Sequence, residues 1–137
     1  MGAKLIKIAS VYFVIGVLFG MFMSIVHKFE FASVHAHINL LGWVSLALTG
    51  FVYHLFPKAA ASKLAVTHFW LHNIGLPIMM IGLALLVSGV GNMEPVIAVG
   101  GVLVTISVIV FLVNVFKHVG DAKDQKPSAA QSKSKPL

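Results

Sequence analysis

The sequence predicts an all-α integral membrane protein with four transmembrane helices. Of its 137 residues, 58% are hydrophobic and only 10% are charged, and the mean hydropathy is +0.96. A soluble domain would be about half apolar and about a quarter charged. The hydrophobic residues also form four separate blocks. Each block is long enough to cross the roughly 30 Å hydrocarbon core of a bilayer as a helix.

The four predicted spans follow one another with short polar connections. The first contains Gly16 and Gly20, which either let another helix approach closely or reflect only how common glycine is in membrane helices. The second ends before Pro57, and the fourth begins after a Gly-Asn-Met-Glu-Pro turn at residues 91–95. The predicted spans are residues 8–26, 34–56, 64–90 and 96–116.

The composition changes near the carboxyl end of the chain. From Gly120 onward the sequence is rich in Lys, Ser, Ala, Gln and Pro. Such a segment cannot bury enough apolar surface to offset the entropy of ordering it. We therefore expect residues 1–119 to form one membrane domain and residues 120–137 to form a disordered, basic cytoplasmic tail.

The basic residues predict the orientation of the spans. All ten are lysines, and five of them lie at Lys117 or beyond. With a cytoplasmic amino terminus, nine lysines are cytoplasmic and only Lys28 lies outside, as the positive-inside rule requires. We expect both termini in the cytoplasm, in the inner membrane of a bacterial- or archaeal-type cell. The net charge of +6 then reflects topology and contact with membrane lipid, not nucleic-acid binding.

The candidate functional residues are the histidines at the start of the second span. The chain has no cysteine, which excludes thiolate metal sites and a thioether-attached haem. His35 and His37 lie in the first turn, followed by Asn39, and ionisable residues inside a span indicate function by default. Two residues correspond to a rotation of about 200° on a helix, so the two histidines point to opposite faces. In an oligomer, His35 of one subunit could face His37 of the next, and together they would supply both axial ligands of an interfacial haem.

A second group of histidines lies at another depth. His68 and His72 share one helix face and could chelate a single ion, with His54 near the same inner boundary of the membrane. Because His35 and His37 lie near the outer boundary, no single metal ion can use both groups. A structural or hydrogen-bonding role for His68 and His72 is the alternative.

The second span resembles the second transmembrane helix of subunit I in the haem-copper oxidase superfamily. The likeness lies in the segments HINLL (residues 37–41) and GFVYHLFP (residues 50–57), and it is nearest to the nitric oxide reductase and C-family oxidase branches. The resemblance implies that His37 is an axial ligand of a low-spin haem b and that Asn39 belongs to the same cofactor site. It also implies a cytoplasmic amino terminus and a haem near the outer face, in agreement with the lysine pattern.

The same resemblance implies a homotrimer. Subunit I has twelve helices in three arcs of four, so three copies of this chain would form an equivalent bundle of twelve helices. His35 and His37 resemble an H-x-H pair in the third arc, whose histidines bind different haems. We therefore expect up to three bis-histidine haems between subunits. The adjacent His-His pair and the His-Tyr pattern of the superfamily are absent, since Tyr53 directly precedes His54. A haem–copper catalytic centre is therefore not expected, and copper or another second metal is a minor alternative.

Three functions are consistent with these observations. The favoured one is a small b-type cytochrome for electron transfer or haem-based sensing, with a quinol or a cytochrome as redox partner. The second is a small membrane oxidoreductase that acts on nitric oxide, oxygen or a quinol, with His54, His68 and His72 as a second metal or haem site. The third is a non-haem accessory or assembly subunit whose histidines only bridge helices.

Overall fold

The computed structural model describes residues 1–120, which are helical apart from short connections. Four helices are long and apolar enough to cross a membrane, which confirms the all-α architecture with four helices of spanning length. Residues 121–137 lie outside the described residues, so the disordered tail stays a prediction. The helices are α1 (Gly2–Val26), α2 (Phe29–Leu55), the short α3 (Pro57–Ala60), α4 (Lys63–Val87) and α5 (Glu94–His118).

The helix ends follow local sequence signals. α1 ends at His27, whose left-handed backbone has φ 54° and turns the chain toward α2. Pro57 and Pro95 each stand in the first turn of a helix, where the missing N–H has no cost. The Ser62 hydroxyl accepts a hydrogen bond from the Ala65 amide at 3.1 Å and caps α4. The four long helices therefore alternate in direction, and both chain ends of the described region lie at one end of the bundle.

The long helices form two hairpins, since α1 packs mainly on α2 and α4 packs mainly on α5. Facing glycines allow the α4–α5 contact to be close. A Cβ atom at Gly75 would lie 3.0 Å from the carbonyl oxygen of Gly100, so any side chain there would separate the helices. The hairpins meet in two buried clusters, one around Leu46 and the other around Leu76.

α2 is continuous, but its backbone hydrogen bonding changes along its length. Its segments are a 3₁₀ turn (Phe29–Phe31), an α-helical turn (Ala32–His37), a π-helix (Ile38–Ser45) and a closing α-helix (Leu46–Leu55). π-Helical segments are rare and frequently occur at functional sites. In this one, Gly42 makes room for α1, because a Cβ there would lie 2.6 Å from Cδ1 of Tyr12. The Ser45 hydroxyl donates to the Leu40 carbonyl at 2.7 Å.

Candidate functional site

The two histidines of α2, here called the α2 pair, lie on opposite sides of their helix. His35 lies toward α1, where its ring stacks on Phe19 with a centroid distance of 6.5 Å. His37 lies on the other side and lines a groove of about 390 Å³ between α2, α4 and α5, together with Met79 and Val104. Both histidines are only partly buried. The opposition of the two faces, predicted from the spacing of two residues, is confirmed.

His37 is oriented by a hydrogen bond to its own helix. Its Nδ1–H donates to the carbonyl oxygen of Ser33 at 2.7 Å. Within residues 1–120, Nε2 of His37 has no hydrogen-bond partner. Histidines that bind metals usually donate one ring N–H to a carbonyl or carboxylate and ligate through the other nitrogen. The local structure of α2 therefore leaves Nε2 of His37 available to a ligand in the groove.

Asn39 and two glycines of α1 define the surroundings of His35. The Asn39 amide donates to the His35 carbonyl at 2.9 Å, and its nitrogen lies 3.4 and 3.5 Å from the two ring nitrogens of His35. A Cβ at Gly20 would lie 2.7 Å from Cε1 of His35, and one at Gly16 would lie 2.5 Å from Oδ1 of Asn39. The glycine pair therefore lets α2 approach α1 closely. Of the two interpretations of Gly16 and Gly20, the structure supports close helix contact. Asn39 lies beside His35 and not in the groove of His37.

His68 and His72, here called the α4 pair, lie inside the bundle. Each is only 1% exposed, and their ring centroids are 5.6 Å apart. Nε2–H of His72 donates to the carbonyl oxygen of Leu41 at 3.1 Å, and its Nδ1 lies 3.1 Å from the hydroxyl oxygen of Ser107. His72 therefore connects α4 to the π-helical segment of α2 and to α5, since both of its nitrogens are engaged.

His68 has different surroundings from His72. Its ring packs beside those of Tyr53 and Phe111, with centroid distances of 5.8 and 5.3 Å, and these two rings also contact each other. Its Nδ1 is buried and has no hydrogen-bond partner among the described residues. In the α4 pair, both ring nitrogens of His72 thus have hydrogen-bond partners, whereas Nδ1 of His68 has none among the described residues.

The structure brings two of the three inner histidines together and leaves the third apart. His54 is exposed on the last turn of α2. In residues 1–120, no group of three or more His, Cys, Asp or Glu side chains is arranged to hold a metal ion. A metal at His68 and His72 stays a prediction, and it would require His72 to give up one of its two hydrogen bonds.

The residues that position the histidines were not predicted from the sequence. Ser33 precedes His37 by four residues, the helical spacing that lets a side chain reach the carbonyl of the preceding turn. Ser107 and Asn114 are polar side chains in the otherwise apolar α5, and both are fully buried. Asn114 donates to the Ala59 carbonyl at 3.0 Å and fastens the α2–α4 connection to α5. A lone polar residue in an apolar span was the available signal.

Comparisons with known proteins give a partial match. No protein-family model matches the chain, and no solved structure matches it. A stretch of 55 residues is 38% identical to the cbb3-type cytochrome c oxidase subunit CcoN1 of Stutzerimonas stutzeri, covering 36% of this chain and 12% of that protein. The chain thus spans only a small part of the relative that it matches. The similarity supports a relation to the haem-copper oxidase superfamily, the one that the second span resembles.

Proposed function

We propose that this chain is a small membrane cytochrome that transfers electrons through haem b bound between the subunits of a homotrimer. His37 of one subunit and His35 of the next would be the two axial ligands. The observation that carries this proposal is the α2 pair. Its two imidazoles lie on opposite sides of one helix and are both partly buried. They are also only about 3 Å apart along the helix axis.

The hydrogen bonds of the α2 pair fit the role of axial ligands. Nδ1 of His37 is held by the Ser33 carbonyl at 2.7 Å, so the ring presents Nε2 to the groove. His35 is positioned by Phe19 and Asn39. Orientation of a ligand by such outer contacts fixes the ring and strengthens binding of the metal. The residues present therefore fit a bis-histidine haem, provided that a second subunit supplies the other imidazole.

The trimer accounts for the opposed faces. A cyclic, closed assembly joins one surface of each subunit to a different surface of the next, and His35 and His37 belong to two such surfaces. The number three comes from the resemblance of the second span to subunit I of the haem-copper oxidases, because three four-helix chains equal the twelve helices of that subunit. Large apolar side chains along the long helices remain exposed, Leu40 at 61% among them, and either lipid or neighbouring subunits would cover them.

The chemistry that haem b supplies when bound is reversible one-electron exchange between its ferric and ferrous forms. The residues of this chain would occupy both axial positions, exclude water and tune the potential through burial. A quinol or a cytochrome would be the redox partner. The lysines support an inner-membrane location with cytoplasmic termini, because five of the six lysines in residues 1–120 lie at one end of the bundle and Lys28 lies at the other.

An optical spectrum of the detergent-purified protein tests this function. The oxidised and dithionite-reduced forms should have the sharp bands of a low-spin b-type haem, and added carbon monoxide should leave them unchanged, since neither axial position is open. A spectrum that responds to carbon monoxide would favour an oxidoreductase acting on a gas. A colourless protein that takes up no added haem would favour the non-haem accessory role.

A further inference from the structure

A second cavity lies beside the α4 pair and is distinct from the groove of His37. It has a volume of about 220 Å³ and lies between α2, α4 and α5. Polar side chains in its lining are Ser45, Thr49, His68 and His72, and Phe111 forms part of the apolar wall. The proposed haem ligands do not line this cavity.

His68, which lines the cavity, has a buried polar atom that the chain itself does not satisfy. His68 is 1% exposed, and its Nδ1 has no hydrogen-bond partner within residues 1–120. A buried imidazole nitrogen without a partner destabilises the folded protein, so native structures usually provide one. Because His68 lines the cavity, a molecule bound there lies next to the imidazole that lacks this hydrogen bond.

The other polar groups of the cavity indicate what kind of molecule fits. The Ser45 hydroxyl already donates to the Leu40 carbonyl at 2.7 Å, and the Thr49 hydroxyl donates to the Leu46 carbonyl at 3.1 Å. Their oxygens can therefore still accept hydrogen bonds, whereas their protons are used. The cavity thus favours a ligand that carries O–H donors.

The walls and the mouth indicate a flat ligand that arrives from the membrane. Two rings of the lining, those of His68 and Phe111, pack on each other with a centroid distance of 5.3 Å, and an aromatic ligand can pack against them. At the cavity edge, Leu48 and Val108 are 60% and 48% exposed, and both lie well inside their helices. The mouth therefore opens sideways at membrane depth. The volume of 220 Å³ is below the roughly 300–1,000 Å³ of sites for drug-sized ligands, which suits a single ring.

We propose that this cavity binds the hydroxylated aromatic head group of a membrane-dissolved molecule, a phenol or a hydroquinone, whose O–H donates to Nδ1 of His68. The apolar tail of such a molecule would leave through the mouth between Leu48 and Val108. Binding at this site requires neither haem nor a redox step, and of its lining residues Val108 also lines the groove of His37.

The test uses the full chain in detergent and two probes that differ in one hydrogen-bond donor. Histidine-labelled protein is titrated with para-hexylphenol and with para-hexylanisole, and nitrogen NMR follows the imidazole of His68. The phenol should bind saturably and shift the His68 signal, and the anisole should bind about tenfold more weakly because it lacks the donor. A hexyl-hydroquinone distinguishes a phenol site from a hydroquinone site. Tighter binding than the phenol indicates a head group with two hydroxyls, and equal or weaker binding indicates a head group with one.

Variants separate the site from simple partitioning into the micelle. His68→Phe keeps an aromatic ring but removes the nitrogen, and Val108→Trp fills the mouth but keeps His68. Calorimetry should give at least about tenfold weaker phenol binding for both, whereas the control His54→Phe, outside the cavity, should bind like the wild type. Equal affinity for phenol and anisole, no saturation, or unchanged affinity in Val108→Trp would overturn the proposal.

Discussion

The α2 pair and the α4 pair both consist of two histidines, but they differ in their spacing along the helix and in the burial of their rings. The α2 pair is separated by two residues and lies on opposite sides of its helix, so each imidazole is partly open. The α4 pair is separated by four residues, shares one face and is 1% exposed. Since two residues correspond to about 200° of helix rotation and four residues to about 40°, spacing alone decides whether both rings can enter one core. The first pair is thus available to neighbours, and the second belongs to the fold.

The hydrogen bonds extend this comparison. His37 uses one nitrogen within its own helix turn, and its other nitrogen has no hydrogen-bond partner within residues 1–120. His72 uses both nitrogens to connect α4 with α2 and α5. A ligand histidine needs one nitrogen oriented and one available, whereas a bridging histidine needs both satisfied. Substitutions in the two pairs should therefore produce different kinds of defect.

The largest expected effect is that of His37→Ala. The variant should fold but retain no haem, because every proposed interface loses the ligand that Ser33 orients. The absorbance of haem per purified subunit measures this, with His54→Ala as a control whose imidazole is exposed and outside the α2 pair. A normal bis-histidine spectrum in His37→Ala would remove His37 from the site.

The next effect is that of His35→Ala. Each interface would keep one imidazole, so any haem retained should be five-coordinate at most and should bind carbon monoxide when reduced. The same preparation of wild-type protein should not respond. A low-spin spectrum without a carbon monoxide response in His35→Ala would mean that another residue supplies the second ligand.

Substitutions in the α4 pair should lower the stability of the protein and leave haem ligation unchanged. His72→Leu leaves the carbonyl of Leu41 and the hydroxyl of Ser107 without this partner, which should lower the free energy of unfolding by about 1–3 kcal/mol. His72→Gln should recover part of the loss. His68→Leu is the matched control, since Nδ1 of His68 has no partner among residues 1–120, and it should cost less. Unfolding in mixed detergent measures all three, and equal losses in His72→Leu and His68→Leu would contradict the assigned difference.

The smallest effect is expected from the helix that supports the α2 pair. In Gly20→Ala the new methyl group would lie 2.7 Å from Cε1 of His35, so the ring must move and the haem potential should shift while haem is retained. Val11→Ala is the control, because Val11 lies on the same helix, is 59% exposed and is about 180° of helix rotation away from Gly20. Redox titration compares the two, and an identical shift in both would show that the contact with His35 is not the cause.

The sequence is informative about features that depend on nearby residues. Four apolar blocks predict four helices, and the spacing of His35 and His37 predicts opposite faces, because helix rotation is a local property. The π-helical segment at Ile38–Ser45 was not predicted, since it depends on how Tyr12 of α1 packs on Gly42 and on other long-range contacts.

The role of the α4 pair depends on contacts with residues that are distant from it in the sequence. A hydrogen-bonding role for His68 and His72 was one of two alternatives, and the sequence could not choose between them. Leu41 and Ser107, the partners of His72, are 31 and 35 residues away from it. Only the packing of three helices brings these groups together. The spacing of His68 and His72 was therefore equally compatible with a chelating pair and with a hydrogen-bonding role.

In the proposed trimer the two ligands of each haem come from different subunits, and mixing the two ligand variants tests this arrangement. His35→Ala and His37→Ala chains carrying different tags are co-expressed, and trimers that contain both are isolated. In each mixed trimer, one interface joins an intact His37 to an intact His35. One intact interface out of three means that the isolated mixed trimers should regain about a third of the low-spin haem of the wild-type trimer. Absence of low-spin haem from the mixed assemblies, with haem normal in the wild type, would contradict ligation between subunits.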